Sequence, residues 1–135
     1  MATFNKFQSF VEAVAEKKHN LWSDQLVVAL TNSAPVNTNT VLADITEVSY
    51  SNVSTRNITT TSSTQTSWTY KLILTDLVLT ASWAVWPFRY IIIYNDTATN
   101  DELISWYDYW SAVTLASWDT FTIDFSATDG FLTIA

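Results

Sequence analysis

His19 is the only histidine in the chain, so a serine–histidine–aspartate relay would have to use it. It follows "AEKK" at what reads as a helix C-terminus, where the dipole favours a cation; a helix-end side chain is the simpler reading. In "NDTATNDE", Asn95, Asp96, Asn100, Asp101 and Glu102 offer oxygens that could hold calcium. Their spacing lacks the EF-hand order, however, and Asn and Asp are also what tight hairpin turns select. Asp108 sits among aromatics in "WYDYW", a setting that suits a sugar-cleaving acid, because sugars stack on rings and burial raises a carboxylate pKa. On an alternating strand the same residue faces solvent or pairs locally. The chain has no cysteine for a thiol nucleophile, disulfide or zinc site, and a single glycine excludes glycine-rich phosphate loops. No catalytic, cofactor-binding or metal residues are assigned, and the chain is read as a non-enzyme.

The aromatic residues offer a different chemistry. Tyr90, Tyr94, Trp106, Tyr107, Tyr109 and Trp110 could form a carbohydrate platform or a protein interface, since both favour Trp and Tyr. Core packing must claim a share of them, because alternate residues on a strand point inward. Ile92, at the centre of "YIIIY", joins the candidate interface. A strand apolar on both faces is either central in its sheet or meets a partner chain.

The elements that would position these residues are mainly β. Residues 4–21 read as an amphipathic helix, with Phe4, Phe7, Phe10, Val11, Val14, Ala15 and Leu21 at three- and four-residue intervals, Thr3 as N-cap and an end near Asn20. Thereafter short runs rich in Val, Ile, Thr and aromatics predict about eight strands, at 25–31, 41–48, 56–62, 69–80, 88–95, 103–109, 120–125 and 131–135. Close sequential strands without later helices predict a single domain, an N-terminal helix packed on an antiparallel β-sandwich or barrel. The Ser/Thr-rich run 51–67 is either an exposed edge strand with a long loop or an arm that orders against a neighbour.

A formal net charge of −7, with six Lys and Arg scattered along the chain, opposes direct nucleic-acid binding. The apolar runs are too short to span a bilayer and no signal peptide is visible, which points away from a membrane. The chain holds one glycine among 135 residues, where a share of about 7% is usual, and seven tryptophans.

With this order in place, the chain resembles a family of small tailed-bacteriophage virion structural proteins, of the head-decoration (cement) or tail-accessory type. The segments that carry the resemblance include "ALTNSAP", "LADITE", "TYKLILTDLVLTAS" and "YNDTATND", and they extend over nearly the whole length. The resemblance implies a capsid decoration protein that binds major capsid protein or tail subunits, forms a homo-oligomer and is assembled in the host cytoplasm into the virion. The alternative is a carbohydrate- or receptor-binding module of a phage tail. It also implies glycine where this sequence has Trp22, Trp68, Trp83, Trp86, Trp110 and Trp118, whereas Trp106 matches a family aromatic. Six bulky residues in left-handed turns would cost roughly 6–12 kcal/mol at about 1–2 each, comparable to a whole domain's stability. Three readings follow: relaxed turns, tryptophan anchors for a glycan or subunit, or glycine encoded by a reassigned stop codon.

Overall fold

The computed structural model describes residues 2–135. In chain order it comprises β1 (Thr3–Lys6), α1 (Ser9–Ala15), β2 (Leu26–Thr31), a 3-10 turn (Leu42–Asp44), β3 (Asn57–Ile58), β4 (Thr60–Thr66), β5 (Thr69–Leu74) and β6 (Leu77–Thr80). β7 (Val85–Asn95), β8 (Leu103–Leu115), β9 (Thr120–Ile123) and β10 (Leu132–Ile134) complete it. All pairings are antiparallel and form three sheets, ordered β1-β8-β7-β2-β3, β10-β5-β4 and β6-β9. The chain is therefore mainly β, as the Val/Ile/Thr pattern predicts, but none of the sheets closes into a barrel.

The large sheet is apolar on both faces because each face has its own cover. Leu26, Val28, Leu30, Ile91, Ile93 and Ile104 pack against Leu72 and Leu74 of β5, Leu79 of β6, Ile123 of β9 and Leu132 of β10 in one core. On the opposite face Val27, Ala29, Ile92, Tyr94, Leu103 and Trp106 form a second core, beneath Phe7, Leu42 and Ile45. Every residue of β2 is buried, the signature of a strand covered on both sides. Burying each such Ile or Leu contributes on the order of 1.5–3 kcal/mol.

Several sequence-based expectations are corrected. The N-terminal helix is Ser9–Ala15, not 4–21, because Thr3–Lys6 takes the open edge of β8, with Phe4 opposite Tyr107. Three phenylalanines at helical spacing fit either conformation, and here the sheet edge supplies backbone partners that an isolated first turn lacks. Thr3 is thus a strand residue rather than an N-cap. The helix ends before Asn20: Lys17 adopts φ 65°, Lys18 N donates to Ala13 O (2.9 Å) and Lys17 N to Val14 O (3.2 Å), a Schellman closure.

Residues 41–48 do not form a strand. The Asp44 carboxylate accepts from Thr40 N (2.9 Å) and Val41 N (3.3 Å), and this local capping wins over strand pairing. Those backbone hydrogen bonds also hold its pKa below the ordinary carboxylate value. The predicted strand 69–80 is two strands in different sheets, broken at Asp76, whose Oδ1 accepts from Phe125 N (2.9 Å). The Ser/Thr run supplies both β3, at the edge of the large sheet, and β4, at the edge of the three-stranded one.

Candidate functional site

A concavity of about 820 Å³ lies where the segment after α1 meets the β7–β8 loop and one end of the β4–β5–β10 sheet. Lys17, His19, Trp22, Asp24, Tyr70 and Glu102 are among its lining residues. The Schellman closure at Lys17 turns the chain inward and buries His19 against Phe10, with ring centroids 5.5 Å apart.

Asn95 organises this region. Its Oδ1 accepts from Thr97 N (3.0 Å) and Ala98 N (3.2 Å), which fixes the amide orientation. Its Nδ2 then donates to His19 Nδ1 (2.9 Å) and to Asp24 Oδ2 (2.6 Å). An amide nitrogen can only donate, so Nδ1 of His19 is the acceptor and Nε2 carries the proton. That Nε2 is buried without a hydrogen-bond partner. Burial pushes the imidazole pKa below its ordinary value, opposed by the charges of Glu102 and Asp24 and aided by that of Lys18. A neutral histidine whose basic nitrogen faces an amide is not arranged to take a proton from a nucleophile. His19 is a buried structural residue, not a solvated helix-end cation.

The acidic loop is similarly committed. Asn95 closes the turn, Asp101 adopts φ 53°, and Glu102 bridges to Val41 in the strand direction. Among the described residues, no three His, Asp or Glu side chains gather as metal ligands. Asp108 pairs locally: Arg89 Nε and Nη2 donate to its two oxygens (2.8 and 3.1 Å), and Trp110 N donates to Oδ1 (2.7 Å). The Arg89 fork is the main reason its pKa lies below the ordinary carboxylate value, opposite to what a general acid needs.

The candidate interface residues fall mostly inside the molecule. Ile92, Tyr94 and Trp106 are buried in the second core, and β7 is the central strand of the large sheet, so "YIIIY" is apolar because this chain covers both its faces. Tyr90, Tyr107 and Tyr109 are half-buried; Tyr107 and Tyr109 pack edge-on or tilted against Phe4, Phe125, Phe131 and Phe121. These six residues form no shared surface platform. The expected-glycine positions behave oppositely: Trp22, Trp68, Trp83, Trp86, Trp110 and Trp118 are all exposed, with Trp86 inside β7 rather than in a turn.

One polar cluster escaped the sequence reading. Tyr50 OH accepts from Leu30 N (2.9 Å) and donates to Glu47 Oε1 (2.6 Å), while Arg56 lies 3.6 Å over the Tyr50 ring and donates to Val28 O (2.6 Å). Burial and the Glu47 hydrogen bond push the Tyr50 pKa up. These residues stitch the loop after β2 to the strand itself, a structural role.

No helix among the described residues is long and apolar enough to cross a membrane. Comparison with protein-family models, with curated proteins and with solved structures gives no match.

One open backbone edge is the outer side of β4. One side of this strand pairs with β5 and the other has no strand neighbour. Its side chains are mostly exposed, and no charged residue occurs between Arg56 and Lys71. Natural edges are commonly protected by lysine, proline or a covering loop. This one has neither lysine nor proline.

Proposed function

We propose that the chain is a non-enzymatic structural protein that acts by subunit–subunit binding, as a capsid decoration (cement) component of a tailed-bacteriophage virion. The observation that carries the assembly reading is the uncharged, unpaired edge of β4. In a molecule of net charge −7, a neutral edge is where two copies can approach with least repulsion. Antiparallel pairing of β4 with β4 of a second copy is self-complementary about a two-fold axis and extends the sheet through main-chain hydrogen bonds. The sequence resemblance described above supports the virion assignment, and the partners it implies are major capsid protein or tail subunits.

Two measurements test this reading. Cryo-EM of native particles should place the chain on the head lattice at fixed stoichiometry; its absence from particles overturns the virion assignment. Light scattering of the purified chain should detect a homo-oligomer that Thr64→Lys with Thr66→Lys dissociates, and an oligomer unaffected by both lysines overturns the β4 contact. Location on the tail fibre together with binding on a glycan array would favour the carbohydrate-binding alternative instead.

A further inference from the structure

Left-handed backbone is uncommon for residues other than glycine, and for a bulky side chain it is an outlier. Trp68, Trp110 and Trp118 adopt φ 72°, 65° and 69°. At a few per cent per residue, three among seven tryptophans would arise by chance on the order of once in a few hundred chains.

Each of the three occupies a place where backbone geometry specifies glycine. Ser67 and Trp68 are the two-residue loop between β4 and β5, with Thr66 opposite Thr69, and both have positive φ (47° and 72°). That is the type I′ hairpin, whose second loop residue is characteristically glycine. Trp118 is the third residue of the turn 116–119, closed by Asp119 N donating to Ala116 O (3.0 Å). Positive φ at that residue, and not at Ser117, is the type II requirement for glycine. Trp110 lies where β8 gains residues relative to β7, between the pairs Phe88–Val113 and Tyr90–Asp108. A left-handed residue at such a bulge is again a glycine position.

Exposure separates the tryptophans in the same way. Trp106 is 9% exposed, whereas the other six range from 60% to 93%. Tryptophan is on average a highly buried residue, so six of seven at the surface is a reversal. The six do not compensate by building a site: among the described residues none stacks on another aromatic ring, and the ring contacts involving tryptophan belong to Trp106. Trp110 donates one hydrogen bond from Nε1 to Thr3 Oγ1 (3.0 Å) and lies 5.9 Å from Arg89, contacts with β1 and β7 and not with another tryptophan. The chain does use glycine where the backbone demands it. Gly130 has φ 83°, and a Cβ there would come within 2.6 Å of Lys71 Cγ.

We infer that the native chain carries glycine at positions 22, 68, 83, 86, 110 and 118, through a stop codon reassigned to glycine in its source, and that Trp106 alone is a native tryptophan. The same codon specifies tryptophan in other genetic codes, which accounts for one residue type standing at all six places. Trp22, Trp83 and Trp86 have ordinary φ and enter through shared exposure and shared identity, not strain. Translation of the chain then requires a glycyl-tRNA that decodes this codon. Six added glycines bring the total from one to seven of 135, about 5%, closer to the usual share of about 7%.

Tandem mass spectrometry of the chain isolated from its native source tests the inference directly. Glycine at all six positions, with tryptophan retained at 106, is the expected result; tryptophan at any of the six overturns it. A second arm uses the expressed chain as written. Trp68→Gly, Trp110→Gly and Trp118→Gly should each raise Tm by roughly 2–6 °C, while Trp106→Gly abolishes the cooperative transition. A Tm unchanged or lowered by all three turn substitutions overturns the backbone argument.

Discussion

The β7–β8 and β4–β5 hairpins are both antiparallel, but different forces define them. In β7–β8, Ile91, Ile92 and Ile93 are fully buried and both faces are covered, so register is fixed by burial; a one-residue slip would exchange the contents of two cores. In β4–β5, Ser and Thr dominate the outer strand, one edge is open, and register depends on a two-residue turn. Where side chains carry the specification, the hairpin keeps its register through local irregularities, including the bulge at Trp110 and positive φ at Asp101. Where they do not, the turn must carry it, and a turn residue of the wrong kind is felt.

The largest expected effect breaks the first hairpin. Ile92→Ala should lower the unfolding free energy by about 2–5 kcal/mol in chemical denaturation, through lost burial and the cavity left in the second core. A loss below about 1 kcal/mol would mean that this face is not sealed by Phe7, Leu42 and Ile45. Next comes the turn of the second hairpin. Trp68→Gly should raise the unfolding free energy by about 1–2 kcal/mol, an effect of opposite sign.

A smaller effect concerns His19, which lies beside the β7–β8 loop. Burial depresses its pKa in the folded chain, so below about 6.5 the unfolded chain binds the extra proton first. Its contribution is fully present above about pH 6.5 and is lost as pH falls toward the depressed folded value. Denaturation midpoints between pH 7.5 and 5 should therefore decline, and His19→Gln should flatten that decline. The smallest effect on stability is at the open edge. Thr64→Lys with Thr66→Lys should change the monomer's unfolding free energy by no more than about 0.5 kcal/mol, because both side chains are exposed.

Legibility in the sequence followed the same division. Strands whose apolar residues face a core, such as β2, β7 and β9, were visible from composition and alternation because burial acts on each residue independently of its partner. Local patterns misled where the chain could satisfy them in two ways. Phe4, Phe7 and Phe10 fit a helix until the edge of β8 is present, and Val41 to Val48 fit a strand until Asp44 caps its own turn. Tyr94 and Trp106 read equally well as core or surface, since an aromatic on a strand does not reveal whether the facing cover comes from its own chain. The His19–Asn95–Asp24 network was not legible at all, because it joins residues more than seventy positions apart. Composition shows that tryptophan is abundant, but the positive φ of Trp68, Trp110 and Trp118 is visible only in the structure.

The order of strands in the large sheet also sets a schedule for synthesis. β1 and β2, from the first part of the chain, pair with β8 and β7, whose residues are translated some sixty to one hundred positions later. At about 5–20 residues per second, the apolar segment Leu26–Leu30 is outside the ribosome for seconds before its partner exists. The nascent chain must therefore hold this apolar segment without its β7 partner, and the large sheet completes only after β7 and β8 have emerged.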